Sequence, residues 1–157
     1  MLGVTVLAVG RLKEDYLRAA CSEYLKRLGA YSKTVVVEID EERLVKGRGE
    51  EAVKQAEGER ILAKVPGSGL VVALEVEGRQ MSSEDFARLL SRAMSEASGH
   101  VTFIIGGSLG LAPEVSRRAD LSLSFSKMTF PHQLMRVVLL EQIYRALNSL
   151  HGGKYHK

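Results

Sequence analysis

Short apolar runs alternate along the chain with segments whose apolar positions recur every three to four residues. Val4-Thr5-Val6-Leu7-Ala8-Val9 is nearly continuous in hydrophobicity and predicts a buried strand. In residues 14–28, Tyr16, Leu17, Ala20, Cys21, Tyr24, Leu25 and Leu28 follow helical spacing, which predicts an amphipathic helix. Val35-Val36-Val37-Glu38-Ile39 predicts a second strand, residues 41–49 a solvated loop and residues 50–64 a helix. Pro66-Gly67-Ser68-Gly69 marks a turn before a third strand over 70–75. Ser82 or Ser83 is placed to cap a helix reaching Ala97, with Glu84 and Asp85 in its first turn and Gly99 at its end. Residues 101–105 predict a fourth strand, and Pro113 suits the first position of a short helix. Residues 121–125 predict a fifth strand, and a last helix runs from Pro131 to about Leu150. Five strand-helix alternations without an internal repeat or linker imply one α/β domain, 1–157, with a mainly parallel sheet flanked by helices.

The last helix departs from the simple amphipathic pattern. Leu134, Val137, Val138 and Tyr144 form one apolar stripe, while Met135, Leu139, Leu140 and Ile143 populate other faces. A helix apolar on several faces needs cover on several sides. A second copy of the chain would supply it, so a homodimer through this helix is expected.

Composition narrows the class. With 157 residues, 45% hydrophobic and 26% charged, the chain has a globular balance and no apolar run of membrane-spanning length. The apolar start has no positive flank and is followed at once by charges, which favours a strand over a secretory signal. One cysteine, Cys21, sits within an apolar helical pattern and reads as a buried structural thiol. Together these favour a cytoplasmic protein. The net charge of +3 is unevenly spread: residues 115–157 hold seven basic and two acidic side chains and three of the four histidines. Such a region suits phosphate contact, or is merely a solvated surface.

In open α/β sheets ligands bind beyond the carboxyl ends of the strands. Three loops lie there: 74–78, the glycine loop 106–110, and 125–131 before the last helix. Glycines allow close approach to the backbone, although an ordinary strand-to-helix turn has the same composition. The serines, threonine and amides of 125–131 could hydrogen-bond an adenine and a ribose, with Phe125, Met128 and Phe130 as apolar walls or as plain core residues. The spacing is neither GxGxxG nor GxxxxGK[ST], which disfavours dinucleotide and triphosphate sites. No metal-ligand spacing and no GxSxG elbow are present, so metal chemistry and serine hydrolysis are unsupported.

Longer motifs carry a family resemblance. Ile104-Ile105-Gly106-Gly107-Ser108-Leu109-Gly110-Leu111, the stretch 123–137, Glu141-Gln142-Ile143-Tyr144-Arg145-Ala146 and the ending Tyr155-His156-Lys157 resemble the RlmH family, as do 7–13 and 23–28. The resemblance spans essentially the whole chain. It implies a SPOUT-type fold with a C-terminal trefoil knot, the cofactor-binding knot occupying roughly 70–157. It implies methylation of N3 of a pseudouridine in 23S ribosomal RNA by a homodimer on the assembled ribosome, with S-adenosyl-L-methionine as methyl donor and no metal. By position, Leu74, Gly106, Phe125, Ser126, Lys127, Met128, Thr129 and Phe130 match the family's cofactor-binding segments. Arg145, Tyr155 and His156 match positions for substrate handling and catalysis. The alternatives are another SPOUT RNA methyltransferase, acting on tRNA or a ribose hydroxyl, and a non-catalytic ribosome-binding factor. On sequence grounds alone the glycine-containing tail is a chain end of the kind that usually frays.

Overall fold

The computed structural model describes residues 1–96 and 98–155. Five strands, β1 (Leu2–Val9), β2 (Ser32–Ile39), β3 (Leu70–Gln80), β4 (His100–Ile105) and β5 (Leu121–Ser124), form one sheet in the order β2-β1-β4-β3-β5. Every neighbouring pair is parallel. The helices between them are α1 (Asp15–Leu28), α2 (Glu50–Leu62), α3 (Ser83–Glu96), α4 (Pro113–Arg118) and α5 (His132–Leu150).

The alternation of side chains along a strand sorts the core into two layers. Leu2, Val4, Val6 and Ala8 of β1 face one way, toward a cluster that includes Cys21 of α1, Leu90 of α3 and Leu139, Leu140 and Ile143 of α5. Leu7 and Val9 face the other way and pack with Ile61 of α2 and Val115 of α4. The sheet is covered on both sides, as a parallel sheet requires, and the central strands are correspondingly apolar. Cys21 is buried, and burial raises its thiol pKa, as befits a structural residue. Among the described residues no helix is long and apolar enough to cross a membrane.

Local signals act as their chemistry dictates. The Ser82 hydroxyl accepts the Asp85 backbone N–H at 3.0 Å and caps α3, and Pro113 opens α4. The expected end of α3 at Ala97 lies outside the described residues. Two strands are longer than their hydrophobic runs. β2 begins at Ser32 because β1 offers a partner from Leu2 onward, so polar Ser32, Lys33 and Thr34 are drawn into the ladder. β3 continues to Gln80, after a register shift against β5: Leu74 and Arg79 both pair with Leu123, and residues 75–78 form an excursion between them.

Helix α5 lies against both α1 and α3. Those neighbours account for most of its many-sided hydrophobicity: Leu139, Leu140, Ile143, Ala146 and Leu147 are buried within the chain. Its outer side keeps an exposed Leu134 and a half-buried Val138. Buried Arg136 ties the first turns of α5 to the sheet, donating to Glu38 at 2.7 Å and to the Gly10 carbonyl at 3.2 Å.

Candidate active site

A cavity of about 870 Å³ opens at the carboxyl ends of β3, β4 and β5, between the three loops singled out from the sequence. Leu74, Gly106, Phe125, Ser126, Met128, Thr129 and Phe130 all line it. Lys127 does not; it is exposed beside the cavity. Glu75, within the 74–78 loop, lines it as well, and so do three residues outside the loops and positions singled out from the sequence: Lys54 of α2, His132 and Met135. His132 and Met135 were findable, since i and i+3 in the first turn of α5 share a face. Lys54 carries no such signal, because its helix lies in the opposite layer.

Each wall is held by a specific contact. The Glu75 carboxylate, on the β3 excursion, accepts hydrogen bonds from Ser116 at 2.8 Å and Ser122 at 2.6 Å. Gly78 closes the excursion; a Cβ there would stand 2.7 Å from the Ser122 backbone, so only glycine passes β5 so closely. In the third loop the Ser124 hydroxyl donates to the Ser126 carbonyl, and the Ser126 hydroxyl accepts the Met128 N–H, both at 2.9 Å. Phe125 is anchored edge-on against Phe86 of α3.

The glycine loop is tight for an internal reason. The Gly110 N–H donates to the Gly107 carbonyl at 3.1 Å, and Gly110 has φ +85°. A Cβ on Gly106 would lie 2.9 Å from Leu111 and 3.0 Å from the Gly110 backbone. A Cβ on Gly107 would lie 3.2 Å from Glu57 and from Val9. The missing side chains therefore make room for the loop's own backbone and for the protein behind it. The cradle this forms, the apolar walls of Leu74, Ile105 and Leu123, and the acceptors of Glu75 and Glu77 suit a nucleoside joined to a cationic amino-acid portion. The volume lies in the range of sites for small organic ligands, roughly 300–1,000 Å³.

His132 stands at the cavity's edge. Burial lowers its pKa, Glu41 opposes the shift, and Arg136 and Lys13 reinforce it. Its imidazole is accordingly neutral at physiological pH.

The substrate-handling positions lie elsewhere. Arg145 forms an ion pair with Glu141 at 2.6 Å, and its guanidinium sits 4.9 Å from the centre of the Tyr155 ring. Tyr155 meets Tyr144 edge-on at 4.9 Å, and its hydroxyl lies 3.4 Å from that of Tyr24. That hydrogen bond, with burial, raises the Tyr155 pKa, so the phenol keeps its proton. Arg145 and Tyr155 are thus brought together, but neither lines the cavity. His132 and Arg145 are 13 residues apart on α5, which is about 20 Å along a helix. His156, the expected proton acceptor, lies outside the described residues. Among the described residues, no group of three or more His, Cys, Asp or Glu side chains is arranged to hold a metal ion.

The sequence model of a family described as "Predicted SPOUT methyltransferase" matches residues 2–156. The chain is also 51% identical, over 158 aligned residues, to the ribosomal RNA large subunit methyltransferase H of Carboxydothermus hydrogenoformans. That alignment covers 98% of this chain and 99% of the relative.

Proposed function

The chain belongs to the SPOUT methyltransferase family, and from that premise we propose that it methylates N3 of a pseudouridine in the 23S RNA of the assembled ribosome, in the cytoplasm. The observation that carries this reading is the cavity bounded by the β3, β4 and β5 loops, in a chain related over nearly its full length to an enzyme named for ribosomal RNA methylation. The residues that would hold S-adenosylmethionine are Leu74, Gly106 and the 125–130 loop, which line this cavity except for Lys127. The knot expected for roughly 70–157 is part of the same proposal.

S-adenosylmethionine supplies an electrophilic methyl group on a sulfonium, so the chain need only position the nucleophile and manage one proton. The imide N3 must lose its proton as it becomes alkylated. His156 accepts it, and Arg145 stabilises the developing anion, because a guanidinium keeps its charge. Tyr155, protonated, donates to the base or packs against it. Holding both reactants in line removes much of the entropic barrier.

Even from Met135, the cavity-lining residue of α5 nearest to it, Arg145 is about 15 Å away along the helix, and this separation within one chain implies a second copy. In a homodimer built on antiparallel α5 helices, the tail of one protomer reaches the cavity of its partner. The exposed large apolar side chains Leu134, Met128 and Tyr16 support such an interface.

The test is methyl transfer from labelled S-adenosylmethionine to ribosomes lacking the modification, with the labelled nucleoside mapped. Label at N3 of one 23S pseudouridine is expected. Label in tRNA or on a ribose hydroxyl would point to another SPOUT specificity. Ribosome binding with no transfer would leave a non-catalytic factor.

A further inference from the structure

The tail is built into the protein as far as Tyr155, and one buried amide holds it. Helix α5 ends in two closing bonds: the Gly152 N–H donates to the Ser149 carbonyl at 3.1 Å and the Gly153 N–H to the Asn148 carbonyl at 2.8 Å. Gly152 has φ +78°, the left-handed conformation that this helix ending requires. The chain therefore reverses over the side of α5 that carries Asn148. There the Tyr155 N–H donates to Asn148 Oδ1 at 3.1 Å, while Asn148 Nδ2 donates to the Tyr31 hydroxyl at 3.0 Å. Both halves of the amide are used, which fixes its orientation. The side chain is only 8% exposed. Gly153 passes directly over it, and any Cβ at that position would overlap the amide.

We infer that Asn148 is the positioning residue of the catalytic tail: its amide sets the height and register at which Tyr155 meets Arg145, and Gly153 is the position that lets the tail close on it. This rests on the reading that the tail works at the RNA substrate. The geometry gives it physical content. An ordinary helix cap is complete at the Gly153 bond, and nothing in capping requires a further contact to the residue two positions on. The Asn148–Tyr155 bond is that further contact. It locates the backbone of Tyr155, while Tyr144, Arg145 and the Tyr24 hydroxyl locate its ring. Asn148 does not itself line the cavity, so it acts through Tyr155.

The full-length protein is compared with Asn148→Leu, of similar volume but without hydrogen bonds, and with Asn148→Asp. The latter's carboxyl can accept from Tyr155 N–H and stay paired with Tyr31 whether or not it is protonated. A third variant, Gly153→Ala, lies on the exposed side of the contact and guards against misfolding of the first. The readouts are amide hydrogen exchange at Tyr155, S-adenosylmethionine affinity by calorimetry, and kcat and KM for methyl transfer to unmodified ribosomes. Asn148→Leu and Gly153→Ala are expected to speed Tyr155 exchange and lower kcat by roughly tenfold or more, the scale of one lost hydrogen bond, with cofactor affinity unchanged. Asn148→Asp should restore both to within about threefold. Unchanged kcat alongside faster exchange would make Asn148 a cap only and overturn the inference, as would unaltered exchange or equal defects in Leu and Asp. If the unaltered protein transfers no methyl group, the enzymatic reading fails, and the exchange data still decide whether the amide holds the tail.

Discussion

Glu57 is buried behind the glycine loop, where its carboxylate would stand only 3.2 Å from a Cβ at Gly107. Burial pushes its pKa above the ordinary carboxylate value; the Glu42 backbone N–H opposes this and Glu41 adds to it. The folded protein therefore holds this proton to higher pH than the unfolded chain does. That linkage costs stability as pH rises past the unfolded value of about 4.3 and onward through the folded one. Glu57→Gln keeps an acceptor for the Glu42 N–H and removes the charge. It should raise Tm at pH 7–8, with the gain shrinking toward zero near pH 4, as followed by calorimetry across that range. A gain independent of pH would mean that packing, and not ionisation, is responsible. None of this is visible in the sequence, where Glu57 is one acid among several in a predicted helix. Its burial follows from Gly58 beside it, whose missing side chain lets α2 close against Ala112 and Val115.

At the level of elements, the glycine loop was legible as a Gly-Gly pair at the end of an apolar strand, but the reason for its glycines was not. The contact at Gly106 is with Gly110 and Leu111, within the loop itself. Gly106→Val should therefore distort the loop and cost stability by about 1–3 kcal/mol as overpacking, while weakening S-adenosylmethionine binding at least tenfold. Gly67→Ala is the control, since nothing lies within 4 Å of its added Cβ. Unchanged cofactor affinity in Gly106→Val, measured by calorimetry, would separate this loop from the cofactor. The β3 excursion that carries Glu75 was hidden for a related reason. Its register is set by pairing with β5, some 45 residues downstream, and local hydrophobicity says nothing of that partner. The third loop was easier, because strand, serines, Pro131 and helix follow one another directly in sequence. Even there, Lys127 could not be told from its neighbours, since turn geometry alone decides which side chains face the cavity.

The whole molecule was legible as an alternating α/β domain with a parallel sheet; the strand order, with β4 at the centre between β1 and β3, was not. Nor could the pattern of α5 alone distinguish cover by α1 and α3 from cover by a second copy. The dimer reading now stands mainly on the distance between cavity and tail, and it can be tested by complementation. Gly106→Val impairs the cavity and Arg145→Ala the tail. Each variant alone should lose most methyl transfer to ribosomes. After joint refolding, random assortment makes half the dimers mixed, each with one intact site, so about a quarter of the activity should return. No recovery above the separate variants would rule out a site shared between protomers. One further consequence follows from α5 beginning at the cavity with His132 and ending at the Asn148 amide. A single rigid element then works as a gauge block between methyl donor and tail. Removing one residue from it would shorten the span by only about 1.5 Å but would swing everything after the cut by about 100° around the axis. Side-chain changes on α5 can thus be absorbed one at a time where they avoid the buried and interface faces, whereas its length admits no single-residue drift: natural variants of this enzyme should alter the loop over 41–49 freely and keep the count from His132 to Tyr155 fixed.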